Sequence, residues 1–229
     1  MIKRLGVLGG MGPAASAEFM ARLVAKTPAK KDQDHIPTIL WSDPRIPDRS
    51  ISLLNGDDLP LPYLLEGIHG LKSANCSCVV IPCNTAHFWF DELSKHIKII
   101  HIVDSVADAL ISANVENTTI GVMGTQATIE LKLYQNHLNT LGWNCITPST
   151  EEMNSLVQPA IDLIKANDMI NSHYMLMQVI DSLISRGANA VILGCTEIPL
   201  AIQQEYHLDI PLINSIDSLV NLAINWYTH

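Results

Sequence analysis

The stretch Val79-Val80-Ile81-Pro82-Cys83-Asn84-Thr85-Ala86-His87 decides how this chain is read, because Val191-Ile192-Leu193-Gly194-Cys195-Thr196-Glu197-Ile198-Pro199 repeats its plan far downstream. Each is a short β-branched run that ends in a cysteine. Apolar runs of this length, bounded by turn residues, read as strands of a buried parallel sheet, which places each cysteine where a strand gives way to a helix. Ligands of α/β sheets bind at that edge. A thiol there faces the positive end of the following helix, which favours the thiolate and predicts a pKa below the free value of about 8.5. Two such thiols directed at one substrate make an acid and a base.

Working outward, Arg4 to Gly9 reads as a first strand and Gly10-Met11-Gly12-Pro13 as a tight turn into the helix Ala14 to Lys26, with Phe19, Met20, Leu23 and Val24 on one face. A polar loop leads to the strand Thr38 to Ser42. Asp43-Pro44-Arg45-Ile46-Pro47-Asp48-Arg49-Ser50 then reads as a long loop on the ligand-binding edge, since its two prolines preclude regular structure. A helix from Leu64 to Ser73 feeds the Cys83 strand. The helix His87 to Ile97, the strand Lys98 to Val103 ended by Asp104-Ser105, and the helix Val106 to Ala113 follow. Asn114-Val115-Glu116-Asn117 is the best internal hinge candidate.

The pattern then restarts. Thr119-Ile120-Gly121-Val122-Met123-Gly124-Thr125 resembles Leu5-Gly6-Val7-Leu8-Gly9-Gly10, and Asp209-Ile210-Pro211-Leu212-Ile213-Asn214-Ser215 echoes Ile99-Ile100-His101-Ile102-Val103-Asp104-Ser105. Between them come a helix Gln126 to Leu141, a strand Trp143 to Thr147, a long helix Asp168 to Arg186, the Cys195 strand and a helix Ile198 to Tyr206; a helix Ile216 to Tyr227 closes the chain. Three strand pairs matched at an offset of roughly 110–115 residues are the signature of two related halves. The expected fold is α/β: two pseudo-symmetric domains, each a mainly parallel four-stranded sheet flanked by helices. Residues 1–104 with 214–229 form the expected N-terminal domain, carrying Cys83, and residues 105–213 the C-terminal domain, carrying Cys195.

Composition bounds the function. A chain of 229 residues, 48% hydrophobic and 16% charged, is ample for globular cores. The apolar run near the start is too short for a signal peptide, and no stretch reaches membrane-spanning length. Five cysteines, an odd number, fit reduced thiols in a cytoplasm better than a disulfide framework. The net charge of −9 disfavours nucleic acid and anionic membranes as partners.

Three rival uses of these residues are open to a reading of the residues alone. Buried cysteines are commonly inert small hydrophobes, but Cys83 and Cys195 are matched in place and lead into polar residues. Cys76, Cys78, Cys83 and His87 are close in sequence, yet an extended strand would set Cys78 and Cys83 about 16 Å apart, too far to share a zinc ion. Cys76, Cys78 and Cys145 read as core or loop thiols. The turn Gly10-Met11-Gly12-Pro13-Ala14-Ala15 satisfies a dinucleotide-binding pattern, with Asp43 after the second strand as the ribose acceptor, although the same backbone N–H groups would hold a carboxylate equally well.

These residues resemble the aspartate/glutamate racemase family, most closely its aspartate racemase branch, over essentially the whole chain. The resemblance rests on Leu8-Gly9-Gly10-Met11-Gly12-Pro13, Pro47-Asp48-Arg49-Ser50, Pro82-Cys83-Asn84-Thr85-Ala86-His87, Gly121-Val122-Met123-Gly124-Thr125 and Gly194-Cys195-Thr196-Glu197-Ile198. It implies a racemase that uses no cofactor and no metal, commonly a homodimer, with its active site in the cleft between domains and an acidic amino acid as substrate. It implies that Cys83 acts on the D-enantiomer and Cys195 on the L-enantiomer. Asn84, Thr85 and Thr196 match positions that hold the α-carboxylate, Met11 sits in the turn that lines the substrate, and Thr125 is expected among the substrate-binding residues. Arg49, with Ser50, and Lys165 match positions used for substrate carboxylates. Glu197 stands where the glutamate-specific branch has histidine, and it too is expected to bind substrate. Decarboxylation or isomerisation of another dicarboxylate by the same thiol pair is the alternative chemistry.

Overall fold

A computed structural model describes residues 3–115, 118–202 and 208–229. The chain divides into two compact units, Met1–Ser105 with Ile216–His229, and Val106–Ser215. The sequence hinge Asn114–Asn117 falls elsewhere: Asn114 and Val115 belong to the second unit, and Glu116 and Asn117 lie outside the described residues.

In the first unit, β1 (Leu5–Gly9), α1 (Pro13–Lys26), β2 (Thr38–Ser42), α2 (Arg49–Asn55), α3 (Leu61–Ser73), β3 (Cys78–Val80), α4 (Phe90–Ser94) and β4 (Ile99–Ile100) follow in order. The helix α5 (Ile102–Ser112) carries the chain into the second unit. There follow β5 (Thr119–Gly124), α6 (Gln126–Glu130), α7 (Leu133–Thr140), β6 (Asn144–Ile146), α8 (Thr150–Glu152), α9 (Gln158–Lys165), α10 (Met169–Ser185), β7 (Ala190–Gly194), α11 (Ile198–Ala201) and β8 (Leu212–Asn214), before α12 (Ser215–Thr228) returns to the first unit. One sheet has the order β2-β1-β3-β4, the other β6-β5-β7-β8, and every pairing is parallel. Both sheets therefore have the same topology.

Burial follows sheet position. The central strands β1 and β7 are buried along their whole length, while the edge strand β2 is not. Strands covered by helices on both faces need uninterrupted apolar sequence, and an edge strand does not. Leu8, Leu64, Ile68, Val79 and Ile81 centre the first core, and Val157, Ile161, Leu176, Ile180 and Val191 the second. Gly10, at φ +94°, turns the exit of β1 against the backbone of Asp43, where a Cβ would come within 2.4 Å of main-chain atoms. Only glycine fits there.

Several elements depart from the sequence reading. The loop expected from Asp43 to Ser50 gives way to α2 at Arg49, because the Asp48 carboxylate accepts the Ile51 N–H at 2.9 Å and caps the helix. The strand expected from Lys98 to Val103 is only β4: His101 Nδ1 accepts the Val103 N–H at 3.1 Å, so α5 starts early and Asp104 and Ser105 lie inside it. The expected helix His87–Ile97 is a 3-10 turn over Thr85–Trp89 followed by α4. The expected helix Gln126–Leu141 breaks at Lys132, which is left-handed at φ 56°. Val24 is 55% exposed, since Phe19 and Leu23 face the core and the next residue is rotated about 100° away. Of the helix expected from Ile198 to Tyr206, α11 is described, and residues 203–206 lie outside the described residues.

Candidate active site

Cys83 and Cys195 each lie five residues after the first residue of β3 and β7 respectively. Both are free thiols, each 4% exposed. Their surroundings differ.

In the first unit, Cys83 follows a three-residue turn across Pro82, its N–H donating to the Ile81 carbonyl at 2.8 Å. The Cys83 carbonyl accepts from His87 Nδ1 at 2.9 Å. Asn84 and Thr85 are buried at the start of the 3-10 turn, and the Asn84 carbonyl accepts the His87 N–H at 3.0 Å. Met11, Ile46 and Cys83 belong to one buried cluster. Arg49 joins them: its Nη1 donates to the Ile46 and Pro47 carbonyls at 3.2 and 3.0 Å, and its Nη2 to the Met11 carbonyl at 3.2 Å. The Arg49 Nε–H is buried without a partner. Among the described residues the guanidinium thus meets carbonyl oxygens and no carboxylate. Ser50, half-buried, is the second residue of α2.

In the second unit, Cys195 directly follows β7. Its Sγ–H donates to Glu197 Oε2 at 3.1 Å, and the Thr196 hydroxyl donates to the same oxygen at 3.3 Å. Burial, then the Glu197 carboxylate, push the Cys195 thiol well above the ordinary thiol range, while the charge of Lys165 pulls weakly the other way. The expectation of a helix-favoured thiolate is therefore corrected at Cys195. The helix that follows has only four residues, and a carboxylate stands between it and any such effect. Lys165 is exposed at the end of α9. Thr125 caps α6, and its hydrogen bonds go to Thr128.

Glu197 is not presented as a free substrate ligand, since one of its oxygens already takes two donors. The rival dinucleotide reading gains nothing at Asp43: its carboxylate is held by the Arg45 backbone N–H and by Arg45 Nε and Nη2, at 3.0, 2.9 and 2.8 Å. Those bonds draw its pKa below the ordinary carboxylate range. Among the described residues, no group of three or more histidine, cysteine, aspartate or glutamate side chains could hold a metal ion.

Sequence reasoning missed Tyr134. This fully buried ring of α7 lies against Gly194, where a Cβ would come within 2.9 Å of its Cε2 and 2.6 Å of the Met123 carbonyl. Its hydroxyl is hydrogen-bonded to Ser215, whose Oγ donates to the Leu193 carbonyl at 2.9 Å. Burial raises the phenol far above its ordinary value. Nothing local marks Tyr134; only tertiary packing brings it beside Cys195.

Residues 8–223 match the model of the Asp/Glu/Hydantoin racemase family. The chain belongs to that family. Among solved structures, the Picrophilus torridus aspartate racemase is 29% identical and superposes with a TM-score of 0.87, covering 99% of this chain and 94% of the other. The glutamate racemase isoform RacE1 of Bacillus anthracis, at 21% identity and a TM-score of 0.70 over 99% and 82% of the two chains, shares the fold. The broad specificity amino-acid racemase RacX of Bacillus subtilis (strain 168) is 24% identical over 97% of each sequence. In keeping with this family, the fold is two parallel four-stranded sheets flanked by helices. Among the described residues, no helix is long and apolar enough to cross a membrane.

Proposed function

We propose that the protein is a cofactor-independent amino-acid racemase that interconverts L- and D-aspartate with Cys83 and Cys195 as its two acid–base groups. The observation that carries this reading is the matched pair of free cysteines, each at the exit of the corresponding strand of two sheets of identical order, in a chain of the racemase family. Inversion of an α-carbon without a cofactor requires a base on one face and an acid on the other.

Cys195 begins as the acid. Its proton is retained by burial and by the Glu197 carboxylate, so deprotonation starts from Cys83 and acts on the D-enantiomer. The Cα–H bond breaks, its electron pair spreads into the α-carboxylate, and the proton passes to the Cys83 sulfur. Cys195 delivers its own proton to the opposite face, leaving a thiolate beside Glu197. That neighbouring charge makes the thiolate more basic, which suits removal of a weakly acidic α-proton from the L-enantiomer in the reverse direction. Asn84 and Thr85 hold the α-carboxylate, joined by Thr196 once its hydroxyl turns from Glu197 to the substrate, and these hydrogen bonds stabilise the developing carbanion. Arg49 supports an anionic substrate: it is a half-buried cation with a spare buried donor and, among the described residues, no carboxylate partner.

The test is a panel of L- and D-amino acids incubated with dialysed protein in EDTA and no added cofactor, followed by chiral chromatography. Aspartate is expected to racemise fastest, with glutamate second. Turnover spread evenly over neutral amino acids would replace aspartate by a broad substrate range. No turnover of any amino acid by folded protein would overturn the racemase reading.

A further inference from the structure

The two thiols are held by different devices, and the one at Cys83 involves a histidine for which racemisation supplies no task. The Cys195 carbonyl accepts an ordinary backbone N–H, that of Ile198 at 3.1 Å. At Cys83 the corresponding place is taken by His87 Nδ1. A nitrogen facing a carbonyl acceptor must carry the proton, so His87 Nε2 is left as a bare lone pair. That atom is buried and meets no partner at hydrogen-bonding geometry, although the Ile100 and Asn84 backbones also stand near the ring. Leaving a buried acceptor unpaired is a cost that an apolar side chain at the same place would not incur. The imidazole therefore contributes through Nδ1–H.

The ring is also sealed. It is 3% exposed, and the ring of His101 meets it edge-on with centroids 4.9 Å apart, while Phe90 packs on His101 at 4.6 Å. Burial, then the neighbouring His101, lower its pKa to about 3, so it is neutral at any working pH. A neutral imidazole that donates to a backbone carbonyl is not exchanging protons with substrate. What it does is fix the Cys83 peptide. The turn across Pro82 sets the N-terminal side of Cys83 and the His87 bond sets the C-terminal side, which together fix the direction of its Cα–Cβ bond and so the few places the sulfur can reach.

We infer that His87 is a positioning residue for Cys83, clamping its carbonyl through Nδ1–H so that the sulfur is aimed at the α-proton. The inference rests on the racemase reading for its kinetic consequence, but not for its structural one. Three variants separate the roles. His87→Asn puts an amide N–H where Nδ1–H stands and keeps the clamp; His87→Gln moves the amide to the Nε2 position and loses it; His87→Leu has no donor.

The readouts are melting temperature, kcat and KM for both enantiomers, and the rates at which iodoacetamide labels Cys83 and Cys195, resolved by peptide mass. For His87→Gln and His87→Leu, kcat is expected to fall about 100-fold, the scale of an ångström of misplacement, with KM within about threefold. Labelling of Cys83 is expected to change several-fold while that of Cys195 stays constant. His87→Asn is expected to recover most of kcat and the wild-type labelling rate. Wild-type kcat and Cys83 labelling in the folded Leu and Gln variants would overturn the inference. So would equal changes at both cysteines, an Asn variant as impaired as the others, or Leu and Gln variants that fail to fold where Asn folds, since the bond would then serve stability. If wild-type protein racemises nothing, the labelling rates still decide the role of His87, and the failure belongs to the proposed function.

Discussion

Replacing Glu197 by glutamine removes a charge beside Cys195 while keeping the size of the side chain. The carboxylate oxygen lies 3.1 Å from the sulfur, and both groups are buried. Two unit charges at that separation interact by about 5 kcal/mol at an effective dielectric near 20. This is a ceiling on what the carboxylate adds to the cost of forming the thiolate. Spreading of the charge over two oxygens, and the polar amide that replaces it, bring the effect below that ceiling. The direction is downward, because Glu197 disfavours the thiolate. The assay is iodoacetamide labelling of Cys195 against pH, with Cys83→Ser in the background so that one site is followed. A midpoint that moves down in Glu197→Gln fits a carboxylate holding the thiol proton. A midpoint unchanged within about 0.3 pH units, or moved up, refutes that role, and burial alone would then account for the acid form.

Arg49→Ala strips hydrogen bonds from the carbonyls of Met11, Ile46 and Pro47, and is expected to cost about 1–3 kcal/mol in urea unfolding. The same variant is expected to raise KM for aspartate about 10–100-fold, the worth of a charge-assisted bond; an unchanged KM in folded protein would remove Arg49 from substrate binding. The buried Cys78 thiol, pushed up to about 11, gives the fold a definite alkaline limit. Its contribution is complete below the ordinary thiol value near 9 and is lost as pH rises through the folded value, so unfolding free energy should fall between pH 9 and 11 by up to about 2–3 kcal/mol from this group. Cys78→Val should flatten that slope in urea titrations at pH 8 and pH 10.5, and an equal slope in both proteins would count against it.

The duplicated architecture was legible because both halves state it in the plainest terms available to a sequence. The runs around Val79 and Val191 are β-branched and uninterrupted, as strands buried on both faces must be. The cysteines at their ends were legible for the same reason. What failed to show were side chains acting as backbone. Asp48 starts α2 immediately after the prolines at 44 and 47, and those prolines hid the cap; His101 uses its ring to start α5 where the apolar run still looked like strand. The protonation of Cys195 was misread because the helix-end argument considers only the backbone. A carboxylate two residues on turns back to the sulfur, and the following helix is one turn long. The rival ribose role of Asp43 fails on a side chain as well, since its neighbour Arg45 consumes the carboxylate. Tyr134 was beyond reach: about sixty residues separate it from Gly194, and only folding makes them neighbours.

The measurement that goes most directly to the two-thiol mechanism is α-proton exchange in heavy water, followed by NMR for L- and D-aspartate with wild type, Cys83→Ser and Cys195→Ser. Wild type is expected to exchange both enantiomers. Each variant should lose racemisation yet retain slow exchange of one enantiomer only, D-aspartate with Cys83 intact and L-aspartate with Cys195 intact. Exchange of both enantiomers by either single variant, or racemisation surviving the loss of one thiol, would contradict a mechanism in which each cysteine serves one face of the α-carbon.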